Sequence, residues 1–375
     1  MSPIKVGLVG GGAIARAHAI GFNNISVFFG DKPGFELYKL AEANDSLAEA
    51  AAKRYSFNNW TSDWRKVTND PDVTLVDVAT PTFLHKDPAI DALEHGKSVI
   101  CEKPLSSNAA DAKEMYSVAK RNGNVTMVGF NYRRVPLVTF ARDMIRNGRL
   151  GKIFQIRTHF IQDWATPNFP LTWRFNSKQA GAGALADLGS HAIDMIRYLV
   201  GEPTAVCAQT VTIIENRPLP NEKDVKGKSD VDDTTFALLR LEGGIAAEVN
   251  ASWIASGRKL QMGFEVNGSE GSVYFDMERP NELRYYSSHD SETEQGFKTI
   301  YGGQRHPYGD VLVFGVPSIG MGYLDSLTNQ MRDLMAGVAK GEQLQPSFYD
   351  GWRVNQIMEA ILKSALTERW VSVES

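Results

Sequence analysis

The chain has 375 residues, which at about 150 residues per domain predicts two sizeable domains. Its 40 basic and 44 acidic residues give a net charge of −4, which lacks the basic excess that binding to nucleic acid requires. Two cysteines are too few for a disulfide framework and suit a reducing compartment, and no apolar run is long enough to span a bilayer. We therefore expect a cytoplasmic protein with no nucleic-acid or membrane partner.

The first third of the sequence alternates short apolar strands with helical segments. Helices are expected at 13–21, 45–55, 86–95 and 109–122, and strands at 5–9, 37–41, 73–79, 98–101 and 126–128. Continuous apolar strands that alternate with helices predict a parallel sheet covered on both faces. The segment 26–35 is interpreted as an inserted loop.

After Gly129 the strands follow one another without intervening helices, which predicts a large, mainly antiparallel open sheet. They are expected at 153–161, 205–214, 234–241, 245–253, 261–266, 272–275 and 283–286, with flanking helices at 135–147, 185–200, 324–339 and 349–367. The predicted fold is therefore α/β, with a doubly wound parallel sheet in residues 1–128 and an α+β domain in residues 129–375. The stretch 301–322 is interpreted as a long loop that serves function.

The segment Gly10-Gly-Gly-Ala-Ile-Ala15 fits the G-x-G-x-x-A pattern between a strand and a helix. Glycines at these positions allow a tight turn and close approach of the backbone to a pyrophosphate, and the helix N-terminus favours negative charge. A glycine-rich turn that binds no ligand would have the same sequence pattern. The region also resembles a short signal peptide, but cleavage there would remove the first strand.

An acidic residue at the end of the second strand is expected to bind the adenosine ribose, and Glu42 is the residue we assign. Its distance from the glycines exceeds the usual spacing of ~20 residues, which the loop at 26–35 explains, and Asp31 is the competing candidate. Ala43 follows Glu42, so no adjacent basic residue is available for a 2′-phosphate. The expected cofactor is NAD, with NADP less favoured.

Several further motifs occur in one order along the chain. They are Ala79-Thr-Pro81 with His85, Cys101-Glu-Lys-Pro-Leu105, Gly129-Phe-Asn-Tyr-Arg133, and Gly183-Ala-Leu-Ala-Asp187 with His191. Together with the glycine turn and His18, the sequence resembles the Gfo/Idh/MocA family, the group of glucose-fructose oxidoreductase and inositol dehydrogenase. Within it, Gln162-Asp-Trp164, Leu171-Thr-Trp-Arg-Phe175 and His306-Pro-Tyr-Gly309 are similar to the branch that oxidises the 3-hydroxyl of glucose-type rings.

The resemblance implies an NAD-binding Rossmann domain, a second domain for substrate binding and oligomerisation, and an active site in the cleft between them. It also implies that Lys103, Asp187 and His191 are the catalytic group and that the open sheet forms a homodimer or homotetramer. We predict that cofactor contacts come from Gly10, Gly12, Ala13, Ile14, Glu42, Thr80, Pro81, His85, Glu102, Lys103, Asn131, Trp173 and Arg174.

The chemistry of alcohol oxidation suits the three catalytic residues, because a base must take the hydroxyl proton while hydride leaves the carbon. Asp187 and His191 share one helix face, although such a pair also caps or solvates a helix. Lys103 follows an apolar strand at the edge where open sheets bind ligands. We expect His191 as the base, Lys103 as the oxygen-polarising and proton-relay group, and Asp187 as the substrate-positioning residue; Lys103 as the base stays open.

The predicted substrate is a polyhydroxylated ring, because hydrogen-bonding groups and aromatics accompany the catalytic residues. Its contacts are expected from Lys103, Tyr132, Arg133, Gln162, Asp163, Trp164, Asp187, His191, His306 and Tyr308, with Trp173 and Arg174 as further candidates. Several have structural alternatives: Trp173 as a core residue, Arg133 and Arg174 as bridges between domains, and Tyr308 as loop packing. His18 and His85 are interpreted as helix-packing or cofactor-adjacent residues.

The favoured function is an NAD-dependent dehydrogenase that oxidises a ring hydroxyl, expected at C3, of a pyranose, glycoside or anhydrosugar. Alternatives are an inositol dehydrogenase, a glycosidase that uses transient C3 oxidation by NAD, and a non-catalytic sensor. The seven histidines are scattered, so no metal site is expected. A G-x-S-x-G hydrolase motif does not occur.

Overall fold

A computed structural model describes residues 3–30, 34–312 and 321–374. The chain forms two compact units: residues 1–131 with 322–355, and residues 132–321 with 356–375. The sequence prediction placed all of 129–375 in one domain, whereas residues 322–355 belong to the first unit. Helical periodicity shows that these residues form helices but does not show which sheet they pack against.

The N-terminal part of the chain alternates strands and helices as predicted. Its strands are β1 (Ile4–Val9), β2 (Phe35–Ala41), β3 (Asn59–Thr61), β4 (Leu75–Val78), β5 (Ser98–Cys101) and β6 (Thr126–Val128). Its helices are α1 (Ala13–Phe29), α2 (Asp45–Tyr55), α3 (Arg65–Thr68), α4 (Lys86–Glu94) and α5 (Ala109–Asn122). The described strands pair in parallel in the order β3-β2-β1-β4-β5-β6, the doubly wound order of dinucleotide-binding sheets.

The rest of the chain supplies the second sheet and the C-terminal helices. In chain order, the next elements are α6 (Pro136–Arg146), β7 (Ile153–Ile161), α7 (Ser177–Ala180), a π-helical turn (Leu185–Gly189), α8 (Ser190–Leu199), β8 (Pro203–Val211), β9 (Asn216–Leu219), β10 (Glu222–Lys228) and β11 (Thr234–Leu241). They are followed by β12 (Ala246–Ser252), β13 (Gln261–Gly268), β14 (Gly271–Asp276), β15 (Glu282–Ser287), β16 (Lys298–Tyr301), α9 (Tyr323–Lys340), α10 (Phe348–Thr367) and β17 (Val371–Ser372).

Helix α1 corrects the expected loop at 26–35, because the helix continues to Phe29. The polar pair Asn23-Asn24 and the β-branched and aromatic residues after it favour a break when the sequence is read alone. In the structure Ile25 is buried in the core of the first unit with Met331 and Leu334 of α9, and this packing extends the helix. The long spacing between the glycines and Glu42 therefore arises from a longer helix.

Local capping sets several helix ends in the first unit. The Asn44 side chain accepts a hydrogen bond from the backbone N–H of Leu47 at 3.0 Å and begins α2. Asn108 caps α5 in the same way through Asp111, and Gly123 ends that helix with a φ of 71°. These caps fall where the predicted bounds of α2 and α5 lie.

The large sheet of the second unit is mixed. Among the described residues its strands follow the order β16-β15-β14-β13-β7-β12-β11-β8-β17. Neighbours pair antiparallel except β7 and β12, which are parallel. On β11 buried and exposed residues alternate, so one face of this strand packs inward and the other is open.

A separate two-stranded hairpin, β9 and β10, was not expected from the sequence. Its residues are mostly polar, with Pro218 inside β9, and such a pattern is typical of a loop. Leu171 donates its backbone N–H to the Pro218 carbonyl at 2.7 Å, so the hairpin contacts the long segment that follows β7. None of the described helices is long and apolar enough to cross a membrane.

Candidate active site

The glycine turn joins β1 to α1 in a conformation that needs glycine. Gly10 has a φ of 105°, and a Cβ atom there would lie 2.6 Å from the Ala79 carbonyl oxygen. Helix α1 begins after Gly12 without a side-chain cap, so the backbone N–H groups near Ala13 and Ile14 form an uncapped helix N-terminus. Such a terminus favours an anion, as the predicted pyrophosphate contact requires.

Glu42 follows β2 directly and lies against this turn. Its carboxylate accepts hydrogen bonds from the backbone N–H of Gly11 and from that of Ala43, the latter at 2.7 Å. Tyr55, which the sequence did not single out, donates its hydroxyl to the Gly11 carbonyl at 2.7 Å. An acidic group therefore stands beside the turn where a ribose-binding residue is needed; Asp31, its competitor, lies outside the described residues.

The segment after β4 contains Thr80, Pro81 and His85. The hydroxyl oxygen of Thr80 is buried and makes no hydrogen bond within the part of the chain that the structure describes. An unsatisfied buried hydroxyl at the carboxyl end of a parallel strand fits a ligand group. With the uncapped turn and the carboxylate of Glu42, the first unit has the donors and acceptors that a dinucleotide needs.

The imidazole of His85 is buried and joins two backbone segments. Its Nε2 lies 2.9 Å from the Thr80 carbonyl, and its Nδ1 lies 3.1 Å from the Pro104 carbonyl. Burial, which outweighs the nearby carbonyl groups and the charge of Glu102, lowers the pKa of His85. His85 thus connects the end of β4 to the segment after Lys103, which agrees with its interpretation as a packing residue.

Lys103 and Glu102 follow β5 at the carboxyl edge of the sheet. The Glu102 side chain is buried, and its Oε2 accepts the backbone N–H of Lys103 at 3.2 Å. Its Oε1 lies 3.1 Å from Nε2 of His18. Both carboxylate oxygens of Glu102 thus have hydrogen bonds within the protein, and one of them supports the backbone of Lys103. The contact of Glu102 with the cofactor stays a prediction.

His18 is completely buried between two carboxylates. Its Nδ1 lies 2.9 Å from Oδ2 of Asp77, on the opposite side from Glu102. Burial alone would lower the pKa of His18, but the charges and hydrogen bonds of Asp77 and Glu102 raise it to about 10. Burial would raise the pKa of Glu102, but the hydrogen bond and charge of His18 hold it below its usual range. His18 is therefore an imidazolium at neutral pH.

This charge predicts a stability that falls in alkaline solution. The pKa of His18 is raised from 6.5 to about 10 on folding. The stabilising contribution of protonated His18 to the free energy of unfolding is therefore fully present below pH 6.5 and is lost as the pH rises through about 10. We expect the thermal unfolding midpoint of the protein to fall more steeply between about pH 6.5 and about pH 10 than that of His18→Gln. Parallel curves for the two proteins would contradict the assignment of charge.

Asn131 is the last predicted cofactor residue of the first unit. It is 1% exposed, and its side-chain nitrogen donates to the Ser326 hydroxyl of α9 at 2.7 Å. Ser326 in turn donates to the Tyr323 carbonyl at 2.7 Å. Asn131 therefore fastens the first turn of α9 to the segment after β6, a contact that motif spacing did not predict.

In the second unit, Asp187 lies in the π-helical turn and His191 in the first turn of α8. Inserted π turns are frequent at functional sites. The His191 ring is 5% exposed and meets the ring of Tyr132 edge to face, with centroids 4.9 Å apart. Phe160 of β7 packs on the same imidazole at 5.6 Å. Two aromatic rings thus fix the orientation of the His191 side chain.

Arg174 lies in a short 3₁₀ turn, Trp173–Phe175, and faces Asp187. Its Nε lies 3.8 Å from Oδ1 of Asp187, and its guanidinium covers the Trp173 ring at 4.4 Å. The Arg174 and Asp187 side chains are 43% and 23% exposed, so both reach solvent. The structure therefore brings Asp187, Arg174 and Trp173 together as a polar group with one aromatic face.

Arg133, a predicted substrate residue, has a structural contact. Its side chain is buried and makes a bidentate ion pair with Asp194 of α8, at 2.6 and 2.8 Å. Its guanidinium also lies over the Tyr198 ring at 5.0 Å. The ion pair joins the segment of Arg133 to α8 within the second unit. The contact of Arg133 with substrate stays a prediction.

Gln162 and Asp163, also predicted to contact substrate, hold a neighbouring loop. Gln162 donates to the Lys259 carbonyl at 2.9 Å, and Asp163 accepts from the Lys259 ammonium at 2.6 Å and from the backbone N–H of Gly257 at 2.9 Å. Trp164 packs edge to face on the buried Trp253 at 5.2 Å. The structure therefore gives all three residues contacts that shape the loops after β7 and β12.

His306 and Tyr308 lie in the loop after β16. The Nδ1 of His306 accepts the backbone N–H of Gly303 at 3.1 Å, and its ring packs on Phe140 of α6 at 4.8 Å. Tyr308 has a positive φ of 58°. His306 stabilises the described part of this loop; residues 313–320, within the predicted functional stretch, lie outside the described residues.

A buried ion pair that the sequence did not reveal supports the segment between β7 and α8. Arg217 of β9 is 0% exposed and donates to Asp233 at 2.9 Å and to the Thr166 carbonyl at 2.8 Å. Its guanidinium lies 4.0 Å from the Phe175 ring centroid. The hairpin thus holds the segment that carries Arg174. Among the described residues no group of His, Cys, Asp or Glu is placed to hold a metal ion.

The doubly wound sheet, its glycine turn and the carboxylate of Glu42 beside that turn are typical of a dinucleotide-binding domain. Residues 4–130 match the family model described as the oxidoreductase family with an NAD-binding Rossmann fold, and residues 138–274 match the GFO/IDH/MocA C-terminal domain. The chain belongs to the Gfo/Idh/MocA family of oxidoreductases, as the sequence motifs predicted. Its first unit is an NAD-binding Rossmann domain.

Some relatives span nearly the whole chain. Levoglucosan dehydrogenase of Pseudarthrobacter phenanthrenivorans is 42% identical and covers 100% of this chain and 99% of the relative. A structure of levoglucosan dehydrogenase in complex with NADH and levoglucosan has a TM-score of 0.96, with 42% identity and complete coverage of both chains. Inositol 2-dehydrogenase of Rhizobium meliloti is 26% identical over 99% of both chains.

Proposed function

We propose that the protein is an NAD-dependent dehydrogenase that oxidises the C3 hydroxyl of a pyranose sugar or an anhydrosugar such as levoglucosan to the ketone. The observation that carries the proposal is the 42% identity to levoglucosan dehydrogenase over the whole length of both proteins. The presence of Lys103, Asp187 and His191 at the motif positions of the family supports catalysis. A protein that only sensed a sugar would have no need of this set.

We propose that His191 takes the hydroxyl proton and that Lys103 donates a hydrogen bond to the same oxygen. Bound NAD supplies the hydride acceptor. A histidine suits the first role because its imidazole exchanges a proton near neutral pH. The aromatic contacts of Tyr132 and Phe160 support it, since they pack on the His191 ring and limit its movement. An ammonium beside the oxygen lowers the cost of alkoxide character in the transition state.

The remaining polar groups of the second unit suit a sugar. Asp187 accepts hydrogen bonds from ring hydroxyls and Arg174 donates to them, while the face of Trp173 suits the C–H surface of a pyranose. The exposure of both side chains supports this assignment, since Arg174 is 43% and Asp187 is 23% exposed and a ligand can reach either group. We assign substrate orientation to these residues.

NAD reduction, followed by absorbance, tests the substrate class. The panel is levoglucosan, glucose, methyl glucosides, myo-inositol and scyllo-inositol. We expect levoglucosan or a glucoside to show the highest kcat/KM. A preference for an inositol would favour the cyclitol alternative, which the relatedness to inositol 2-dehydrogenase supports. Transient oxidation without net NADH would favour the glycosidase, and tight NAD binding with no product would contradict an enzyme.

We propose NAD over NADP, and Glu42 provides the test. A carboxylate beside the ribose repels a 2′-phosphate and accepts the 2′-hydroxyl. Glu42→Ala is expected to weaken NAD binding by about tenfold, equivalent to one charged hydrogen bond of ~1.5 kcal/mol, and to narrow the preference for NAD over NADP. Isothermal titration with both cofactors measures the change, with the exposed Glu49→Ala of α2 as the control. An unchanged preference would contradict the assignment.

We also propose that the protein is a homodimer or homotetramer of the cytoplasm. The open face of β11 exposes Phe236 and Leu238, which are 49% and 56% accessible in the single chain, and a second copy would cover such apolar residues. The two cysteines, Cys101 and Cys207, are unbonded thiols, which suits a reducing compartment. Light scattering of the purified protein measures the number of subunits.

A further inference from the structure

A chain of three buried ionisable side chains lies within the first unit and ends at the backbone of Lys103. Asp77 belongs to β4, His18 to α1, and Glu102 follows β5. His18 lies 2.9 Å from Asp77 and 3.1 Å from Glu102, and the far oxygen of Glu102 accepts the Lys103 N–H at 3.2 Å. This row of hydrogen-bonded side chains therefore links helix α1 to Lys103, the residue that we place at the reacting oxygen.

Burial of these groups is too costly to be incidental packing. The side chains of His18 and Asp77 are 0% exposed, and that of Glu102 is 7% exposed. Three ionisable side chains are held away from water here, whereas an apolar trio at these positions would cost nothing in desolvation. An arrangement that costs stability points to a role outside stability.

The surrounding backbone makes room for Glu102. A Cβ atom on Gly129 would lie 2.1 Å from Oε1 of Glu102, so only glycine at this position admits the carboxylate as it lies. Three other ionisable groups lie near these side chains. Lys103 and His85 lie beside Glu102, and Cys101 lies beside both Glu102 and Asp77. Of these, Lys103 is the one we assign to chemistry.

We propose that His18 is a positioning residue: it holds the Glu102 carboxylate against the Lys103 backbone N–H and so fixes where the Lys103 side chain begins. The inference rests on the proposed function and deepens it. His18 does not touch substrate, and it acts through geometry. A neutral hydrogen-bond network of the same shape is therefore expected to position Lys103 equally well.

Paired glutamine substitutions test this distinction. In His18→Gln, the introduced amide donates its N–H to one carboxylate but turns its oxygen toward the other, which breaks the chain. In His18→Gln combined with Glu102→Gln, the amide at position 18 donates to Asp77 and accepts from the amide at position 102, whose oxygen accepts the Lys103 N–H. The double variant thus restores every hydrogen bond in neutral form.

We expect His18→Gln to lower kcat by about 100-fold, because an error of about 1 Å at a catalytic group costs that much, and the second substitution to recover at least about tenfold. NAD affinity stays within about threefold. Ser26→Ala, exposed on the same helix, is the control. Wild-type kcat in His18→Gln would overturn the proposal, and so would a double variant as slow as the single one, since that result would make the charge or a proton of His18 essential.

A second pair of variants serves if His18→Gln does not fold. In Glu102→Gln, His18 becomes neutral and accepts a hydrogen bond from the introduced amide, so all contacts remain; Glu102→Leu removes them. We expect kcat of the glutamine variant to exceed that of the leucine variant by at least about tenfold. Equal rates in the two folded variants would overturn the proposal.

A readout without substrate separates this inference from the proposed function. An amine-reactive reagent followed by peptide mass spectrometry gives the rate at which Lys103 is modified, with exposed Lys53 as the internal control. We expect the ratio of the two rates to change at least about threefold in His18→Gln and to return in the double variant. An unchanged ratio would overturn the positioning role even if no sugar is oxidised, whereas absence of sugar oxidation with the expected ratios would overturn the proposed function alone.

Discussion

Lys103→Ala and His191→Ala are each expected to lower kcat by about 10³-fold. Loss of a preorganised donor to a developing oxyanion costs about 10²–10³-fold in other enzymes, and loss of a general base costs about 10²–10⁴-fold. Both changes act on the proton and the charge of the reacting oxygen. We assign the binding energy of the nucleotide mainly to the glycine turn and Glu42, so NAD affinity is expected to change by less than about threefold.

Steady-state kinetics and titration with NAD measure the two quantities separately. Matched controls are Lys53→Ala in the first unit and His289→Ala in the second, since both side chains are exposed and neither residue is assigned to the site. If either catalytic variant kept a wild-type kcat, its assigned role would be wrong. The pH dependence of kcat then shows whether His191 or Lys103 is the base. Replacement of the base removes its inflection from the pH–rate profile, whereas replacement of the other residue leaves that inflection in place.

Asp233→Ala is expected to lower the free energy of unfolding of the second unit by about 3–5 kcal/mol. Asp233 is 0% exposed and accepts four hydrogen bonds, at 2.6–2.9 Å, from the backbone N–H groups of Ile213 and Ile214, the Arg217 guanidinium and the Trp253 indole. Its removal leaves the guanidinium of Arg217 buried without its counter-charge. Breaking one side of a buried ion pair is among the most destabilising single changes.

Urea unfolding followed by tryptophan fluorescence measures this loss. Asp224→Ala, on the exposed part of the hairpin, is the control and is expected to lie within about 0.5 kcal/mol of wild type. Asp233→Asn retains one acceptor and is expected to fall between the two. The alanine variant is also expected to raise KM for the sugar, since Arg217 holds the segment of Arg174 through Thr166. Wild-type stability of Asp233→Ala would contradict the bracing role.

The sequence predicted the regular elements of the fold well where local signals agree. The bounds of α2, α5, β5, β6, β7 and β11 are those expected. Side-chain caps define the two helices, β5 and β6 are short continuous apolar runs, and β11 alternates between buried and exposed residues. The end of α1 at Phe29 was missed because tertiary packing of Ile25 overrides weak local propensity. The β9–β10 hairpin was missed because its polar residues lack the alternation of a half-buried strand.

The motifs indicate the residues of the candidate site, Glu42, Lys103, Asp187 and His191, and their roles stay predictions. A sequence motif does not show which polar side chains form hydrogen bonds or ion pairs within the protein. Arg133 is a clear case, because its bidentate partner Asp194 lies 61 residues away in the sequence. One signal was available: Asp77 is a single charge inside the apolar strand β4, and a buried carboxylate needs a partner, which His18 supplies.

Levoglucosan that carries deuterium at C3 tests the central claim most directly. Incubated with the protein and NAD, it is expected to give NADH that contains one deuterium, detected by mass spectrometry, together with the 3-keto sugar, and to show a primary isotope effect if hydride transfer limits the rate. Unlabelled NADH would show that another carbon is oxidised. Absence of NADH, with the deuterium retained in the sugar, would contradict a dehydrogenase that acts on the ring hydroxyl.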